Sequence, residues 1–451
     1  MENNSQERYL KNQFSATGDW QSSLSHITEN TISTGRTTLD QRIKTPNLDL
    51  RNNLRTLWSL DKYTLEAQSS LRYHSNAADL RLDNHPYPMS LRDFYTDNSF
   101  SFLKKSGSLT QRYTVGINGE ISNIEKSLQT YLSPDYQWNT YKWTLSLSVP
   151  LRWTGYTGVG FSRISVNPSL SIIYKLNYAW RFTVHASYKE RYGEMTDLYD
   201  RPYQTDYRNS VWNCGILPVY RQQLYSVYGE YKNTAREFFA TVNLTHNREW
   251  YNRIENGQIQ RVSLPLSNHG SGYTVKSTLS KGFYDLGLKT SLLALLNISK
   301  AEQISGGQRL PYQYRLMRLE PKVIWTPNRH WETSYQTDIR YGGSKIGERT
   351  RLAPLWNVTQ QVQLSYIFSP IEASLSVDHY HNDVNEDQSV NAVFADFSVL
   401  WKSRRLQIPA TATNLFDKRT YGYTRYASLE SYTSWVRIRP REFLVAIRYQ
   451  L

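Results

Sequence analysis

A large antiparallel transmembrane β-barrel of about twenty strands is the fold class this sequence predicts. Three observations predict it. The first is the stretch YKWTLSLSVPLRWTGY at 141–156. Tyr141, Trp143, Leu145, Leu147, Val149, Leu151 and Trp153 alternate with Lys142, Thr144, Ser146, Ser148, Pro150, Arg152 and Thr154. Such period-2 alternation makes a strand with one apolar and one polar face. Aromatics close both ends of the apolar face, and aliphatics lie between. Trp143 and Trp153 would stand roughly 33 Å apart along the strand, and roughly 23 Å apart in height at a tilt of about 45°. An apolar band flanked by interfacial Trp and Tyr has that height.

The second observation is the rhythm of the connections. Every second one is a tight turn, and the others are longer and polar, often about ten to twenty-five residues. Outer-membrane barrels place short turns at the periplasmic end and long loops outside, whereas a soluble sandwich has no reason to segregate them. The third is composition. The 451 residues include 35 Tyr, 13 Trp and 14 Phe, and mean hydropathy is −0.62. The greasiest run, Leu292-Leu293-Ala294-Leu295-Leu296, is too short for a membrane helix. Only helices and closed barrels satisfy the backbone in lipid, and a barrel keeps a low mean hydropathy because half of each strand faces a wet lumen.

Taken in order, Leu10, Phe14, Ala16, Gly18 and Trp20 share the face of a weak first strand. A polar stretch at 21–44 leads to Leu48, Leu50, Leu54 and Trp58. The turn at Asp61-Lys62 leads to Tyr63, Leu65, Ala67, Leu71 and Tyr73. A second polar stretch at 76–92 carries His85-Pro86 and Tyr87-Pro88, which are expected to break any strand. A poorer strand at 94–103 turns at Lys105-Ser106-Gly107 into Leu109, Tyr113, Val115 and Ile117. A strand near 131–138 precedes the opening stretch. Ile164 to Leu176 and Trp180 to Tyr188 form a hairpin about Asn177-Tyr178. The longest central loop, 193–218, follows. Later hairpins turn at Lys232-Asn233-Thr234, after Phe283, at Pro327-Asn328, at Ser369-Pro370 and at Ser403-Arg404. Phe443, Val445, Ile447, Tyr449 and Leu451 make the last strand.

The C-terminal residues carry a resemblance. Asn414-Leu415-Phe416-Asp417-Lys418 is similar to the Asn-Leu-Phe-Asx-Lys segment of TonB-dependent receptors. Arg439-Pro440-Arg441-Glu442-Phe443, leading into the terminal strand, resembles their final strand, although the usual terminal aromatic is Leu451 here. The wording from Ser431-Tyr432-Thr433 to Phe443 resembles receptors of the Bacteroidetes type, the SusC-like importers among them. The resemblance implies import of a ligand driven through a TonB-type protein, a location in the cell outer membrane among its lipid, and a surface lipoprotein as a further partner. It implies a barrel of 22 strands with an N-terminal plug, against which about twenty strands are incomplete. The start, MENNSQERYLKNQF, has no apolar h-region. The expectation is therefore one domain, 1–451, an N-terminally truncated barrel with no signal peptide and no plug. The alternatives are a plugless pore or surface-binding barrel, and a barrel enzyme with a rim site.

No residue set commits the chain to catalysis, a cofactor or a metal, and the ligand-binding residues are left unknown. His379 and His381 in VDHYHND share a strand face near Asp378 and Asp383, a set that is either a metal or rim-enzyme candidate or a polar strand end. Gly158-Val159-Gly160 is read as a loop, since no helix follows to cradle phosphate. The net charge of +14 is spread along polar faces and loops, which argues against nucleic acid. The single Cys214 excludes an intrachain disulfide. The outer loops 193–218 and 417–439 are the places where ligand contact is expected.

Overall fold

The computed structural model describes residues 2–4, 8–31, 35–60, 62–82, 85–204, 210–256, 260–305, 307–347, 350–351, 354–383, 388–426 and 431–449. One continuous sheet of 29 strand segments runs through them. Several staves consist of two segments in line, so the wall holds about twenty staves. Chain neighbours are sheet neighbours. Arg8–Thr31 pairs with Gly35–Ser59, then Tyr63–Leu82, then His85–Ser106, all antiparallel. The same meander continues to Leu406–Thr413, which pairs with Glu442–Val445 and Arg448–Tyr449.

The register keeps the apolar positions on one face across the wall. Leu147 lies between Tyr136 and Leu170, and Trp143 stacks on Tyr174 at 4.3 Å between centroids. Nothing packs over this face: Trp143, Leu151 and Trp153 are 43%, 40% and 37% exposed. The sparse buried apolar residues gather instead around Tyr156, Met195, Leu198 and Leu217. A sandwich would bury the whole apolar face against a second sheet; this one presents it outward, as a wall in lipid does.

The short turns are built by asparagine. Asn177 Oδ1 accepts from the N–H groups of Ala179 and Trp180. Asn328 Oδ1 accepts from those of His330 and Trp331, and Asn233 Oδ1 from that of Arg236. A side-chain carbonyl that stands in for a backbone acceptor closes a turn in very few residues.

Three sequence expectations are corrected. The polar stretches at 21–44 and 76–92 are not loops: the ladders run on to Thr31↔Gly35 and Leu82↔His85. Beyond the apolar band a strand needs backbone partners but no apolar face, so alternation is no guide there. Pro86 and Pro88 sit inside His85–Ser106. Arg92 of that strand turns both its N–H and its C=O toward Asn123. Residues of the same parity point the same way, and the partner strand there ends at Ser122, opposite Asp93. The prolines therefore lack their N–H on an edge that no strand uses. Lastly, residues 141–156 divide into Trp143–Ser148 and Leu151–Tyr156. Pro150 interrupts the ladder and Pro134 and Pro168 flank it: Val149 N–H reaches Pro134 C=O, and Asn167 N–H reaches Pro150 C=O. The register is unchanged across the break, so both halves keep one outward face. Pro409 opposite Ala446 divides the last stave in the same way.

Among the described residues no ladder joins the first stave to the last. Arg8–Thr31 carries on its second edge only the short segment Glu2–Asn4. Trp20 and Phe443 are 72% and 73% exposed.

Candidate functional site

The face opposite the apolar one carries the charge. Asp49 holds Arg51 at 2.5 Å and Arg72 at 3.0 Å. Glu66 holds Arg55 at 2.5 Å, and Glu230 holds Arg181 at 2.6 Å. Asp338 takes a two-pronged contact from Arg318 at 3.0 Å and a second arginine, Arg340, at 2.5 Å. These pairs span neighbouring staves and leave the inner face polar but locally neutral, unlike the continuous basic track that nucleic acid requires.

The outer end holds the two loops in which ligand contact is expected. Loop 193–218 has a core of its own. Met195 and Leu198, in a short 3₁₀ turn, are buried against Tyr156 and Leu217, with Leu91 and Phe161 beside them. Tyr156, Phe161 and Leu91 belong to the inner-face parity of their staves, so the loop tucks inward across the mouth. Tyr156 Oη donates to Gly193 C=O, and Asp197 pairs with Arg253 at 2.9 Å. Ser210–Trp212 of this loop runs parallel to Gln260–Val262 of the next. Cys214 lies here half-buried, its thiol pushed up by burial and by Asp200.

Residues 414–441 form the second loop. Its described part holds a hairpin, Thr420–Tyr426 with Ser431–Arg437. Tyr421 accepts from Asn382 Nδ2 at 2.7 Å and meets Tyr380 edge-on at 5.4 Å. Beneath it lies a cavity of about 560 Å³ lined by Asp378, Tyr380, Phe394, Asp396, Tyr421 and Arg439. This pocket combines ring faces and carboxylates on the inner face, directly under the mouth.

The NLFDK segment is a structural clamp beside that cavity. Asn414 is buried, with φ 52°. Its Nδ2 donates to the carbonyls of Lys418 at 2.8 Å and Arg439 at 2.9 Å, and its Oδ1 accepts from Lys418 N–H at 3.0 Å. Its own N–H reaches Asp396. Asp417 accepts from Arg441 N–H and pairs with Arg419 at 2.9 Å. Hydrogen bonds to Arg419 and to Arg441 hold the Asp417 carboxyl below the usual range. The two resembling segments thus touch, and together they set where the last stave begins.

The candidate metal residues are not brought together. Asp378 lies on the inner face, whereas His379 Nδ1 faces Gln360 and His381 lies between Asn391 and Asp383. Gly158-Val159-Gly160 is an anion cradle after all, filled by the chain itself. Glu125 accepts from the N–H groups of Gly158 at 2.7 Å and Val159 at 2.9 Å, and from Lys126 N–H and Thr157 Oγ1. A Cβ at Gly158 would run into that carboxylate. Burial alone would raise the Glu125 carboxyl; these donors outweigh it and hold it below the usual range. The charge therefore stabilises the fold above the ordinary carboxylate pKa, and the contribution is lost as pH falls through the lower folded-state value. Glu125→Gln is expected to cost about 1–3 kcal/mol at neutral pH and to flatten that acid limb. Urea unfolding followed across pH reads both; an acid limb unchanged in the variant would show that Glu125 does not carry it.

Glu190 is a second residue that sequence reasoning missed. Pairing between Ser169–Lys175 and Trp180–Tyr192 stops at Ser187. Buried Glu190 bridges the gap above it, pairing with Arg163 at 2.8 Å and Arg221 at 2.9 Å and accepting from Tyr192. Nothing in the local sequence of Glu125 or Glu190 marks them, because their partners lie about thirty residues away.

No family model matches the chain, and no curated protein matches it. Solved structures do. A mutant of the ferric enterobactin receptor PfeA from Pseudomonas aeruginosa aligns with a TM-score of 0.50 at 11% identity, covering 99% of this chain and 67% of that one. The fold is that of an outer-membrane receptor barrel. The copper transporter OprC aligns with a TM-score of 0.47 at 8% identity, over 99% of this chain and 80% of that one. The siderophore receptor PirA from Pseudomonas aeruginosa gives 0.44 at 10%, over 98% and 80%. In such a barrel the outward apolar belt lies in the outer membrane, the asparagine-built turns face the periplasm, and the tucked loop and the 560 Å³ cavity lie at the outer mouth.

Proposed function

We propose that this chain forms the barrel wall of a TonB-dependent receptor that imports a ligand across the outer membrane. The observation that carries the reading is the contact between the NLFDK segment and the Arg439–Arg441 backbone at the mouth of a receptor-type barrel. The neutralised inner face and the inward-tucked loop support a gated binding mouth rather than an open pore. The ligand is recognised at the outer end, where Tyr380, Phe394 and Tyr421 offer ring faces beside Asp378 and Asp396. The pull of TonB acts on a plug inside the wall, and the described residues of this chain are taken up by staves, turns and outer loops.

The chain expressed alone in cells lacking other receptors is therefore expected to give no TonB-dependent growth on candidate ligands. Steady conductance in planar bilayers is expected from the same chain. Energised uptake by this chain alone would show a complete transporter and overturn the reading of it as the wall only. A second reading, a passive pore in its own right, is favoured if the conducting chain supports uptake without TonB.

A further inference from the structure

The outer face of the wall carries a basic groove that transport does not use. Tyr225, His246 and Tyr273 form a stacked aromatic row across three staves, with centroids 6.4 Å and 4.3 Å apart. The register places them on the outward face, paired Tyr225↔His246↔Tyr273↔Ile298. Such a row marks the membrane interface. One outward position further toward the long-loop end the register reads Arg248↔Ser271↔Lys300↔Gln313↔Lys345. A groove of about 560 Å³ opens along this line, lined among others by Arg248, Trp250, His269, Lys300 and Lys345. Arg248 and Lys300 are exposed and Lys345 is half-buried. Among the described residues none of the three has an ion pair or a hydrogen bond from its side chain.

This differs from the inner face, where the cations hold carboxylates. Two carboxylates line the groove. Glu302 is paired with Arg309 at 3.0 Å, and Glu249 accepts from Tyr220, Gln222, Asn247 and Tyr251. The three cations stand on alternate staves, so successive charges are about 10 Å apart. They sit just above the aromatic row, at the depth of lipid headgroups. A single small anion would engage one of them; a headgroup with two separated phosphates engages neighbouring ones, with Ser271 and Gln313 as donors between. We propose that this groove binds the headgroup of an outer-leaflet lipid carrying two phosphates, fixing lipid to one side of the barrel.

The test uses the full chain in detergent micelles, titrated with diphosphoryl lipid A, monophosphoryl lipid A and its dephosphorylated form, with bound lipid counted by native mass spectrometry. Affinity should fall at each loss of phosphate. The combined variant Arg248→Ala, Lys300→Ala, Lys345→Ala should bind the diphosphoryl lipid about a hundred-fold more weakly. A control with the same charge change at the opposite end, Lys62→Ala, Lys105→Ala, Arg404→Ala, should bind it as the native chain does. Millimolar inorganic phosphate should not displace the lipid. Binding that ignores phosphorylation, an equal loss in the control, or full displacement by inorganic phosphate would each overturn the proposal. Both variants must run as the folded form on unheated gels, which separates loss of the groove from loss of the barrel.

Discussion

Leu147→Arg is expected to destabilise the barrel by about 2–4 kcal/mol, whereas Ser146→Arg on the other face changes it by less than about 1 kcal/mol. The two residues are adjacent in Trp143–Ser148 and differ only in the side of the wall they face. Leu147 sits between Tyr136 and Leu170, midway between the interfacial Trp143 and Trp153. A guanidinium there must be desolvated in hydrocarbon or drag water inward. Ser146 lies between Gln137 and Ser171 on the polar face, where an arginine remains hydrated. Urea unfolding in lipid vesicles, followed by tryptophan fluorescence, measures both. Equal costs for the two variants would show that this face does not lie in lipid.

The second large effect is expected at Asn414. Asn414→Ala should lower stability by about 3–4 kcal/mol, from three lost buried hydrogen bonds of about 1 kcal/mol each and the residual cost of a left-handed backbone without a favourable side chain. The clamp joins the end of Leu406–Thr413 to the approach of Glu442–Val445, so the loss should appear first at that end of the wall. Hydrogen exchange of Phe443 and Leu444 amides should rise in the variant before exchange elsewhere. Asn414→Gly relieves the backbone strain and keeps the hydrogen-bond loss, and is expected to recover only about 1 kcal/mol. Full recovery by glycine would show that the backbone, and not the amide, carries the clamp.

Much of the wall was legible in the sequence, because lipid on one side and water on the other impose a two-residue period on every membrane-crossing stave. The alternation from Trp143 to Trp153 and the turns about Asn177, Asn233 and Asn328 were readable for that reason: each is decided within a few residues. Legibility stopped where lipid stops. The staves at 21–44 and 76–92 stand beyond the apolar band, so serine- and threonine-rich ladders there look like loop. Pro150 was hidden by the opposite fault, since it leaves the pattern of faces intact while removing one hydrogen bond. The site was legible only as loops and a motif. Its anchors, Glu125 under residues 157–160 and Glu190 between Arg163 and Arg221, depend on pairings that only the folded register creates. The pair His379 and His381 was visible as a motif, yet the same register sends Asp378 to the other face.

The prolines at 86 and 88 have a consequence for life at a crowded cell surface. The ribbon formed by 76–82 and 85–92 stands clear of the bilayer with one flank unpaired. A bare flank of that length invites any extended peptide, from a neighbouring copy or from a secreted protein, to lay itself alongside and extend the sheet. With imino nitrogens at two successive bonding positions, an incoming chain meets carbonyls but no donors and cannot zip past them. Replacing both prolines by threonine would leave this chain's own ladder intact, since Pro86 and Pro88 face away from it, and would turn the ribbon into a docking edge for other polypeptides.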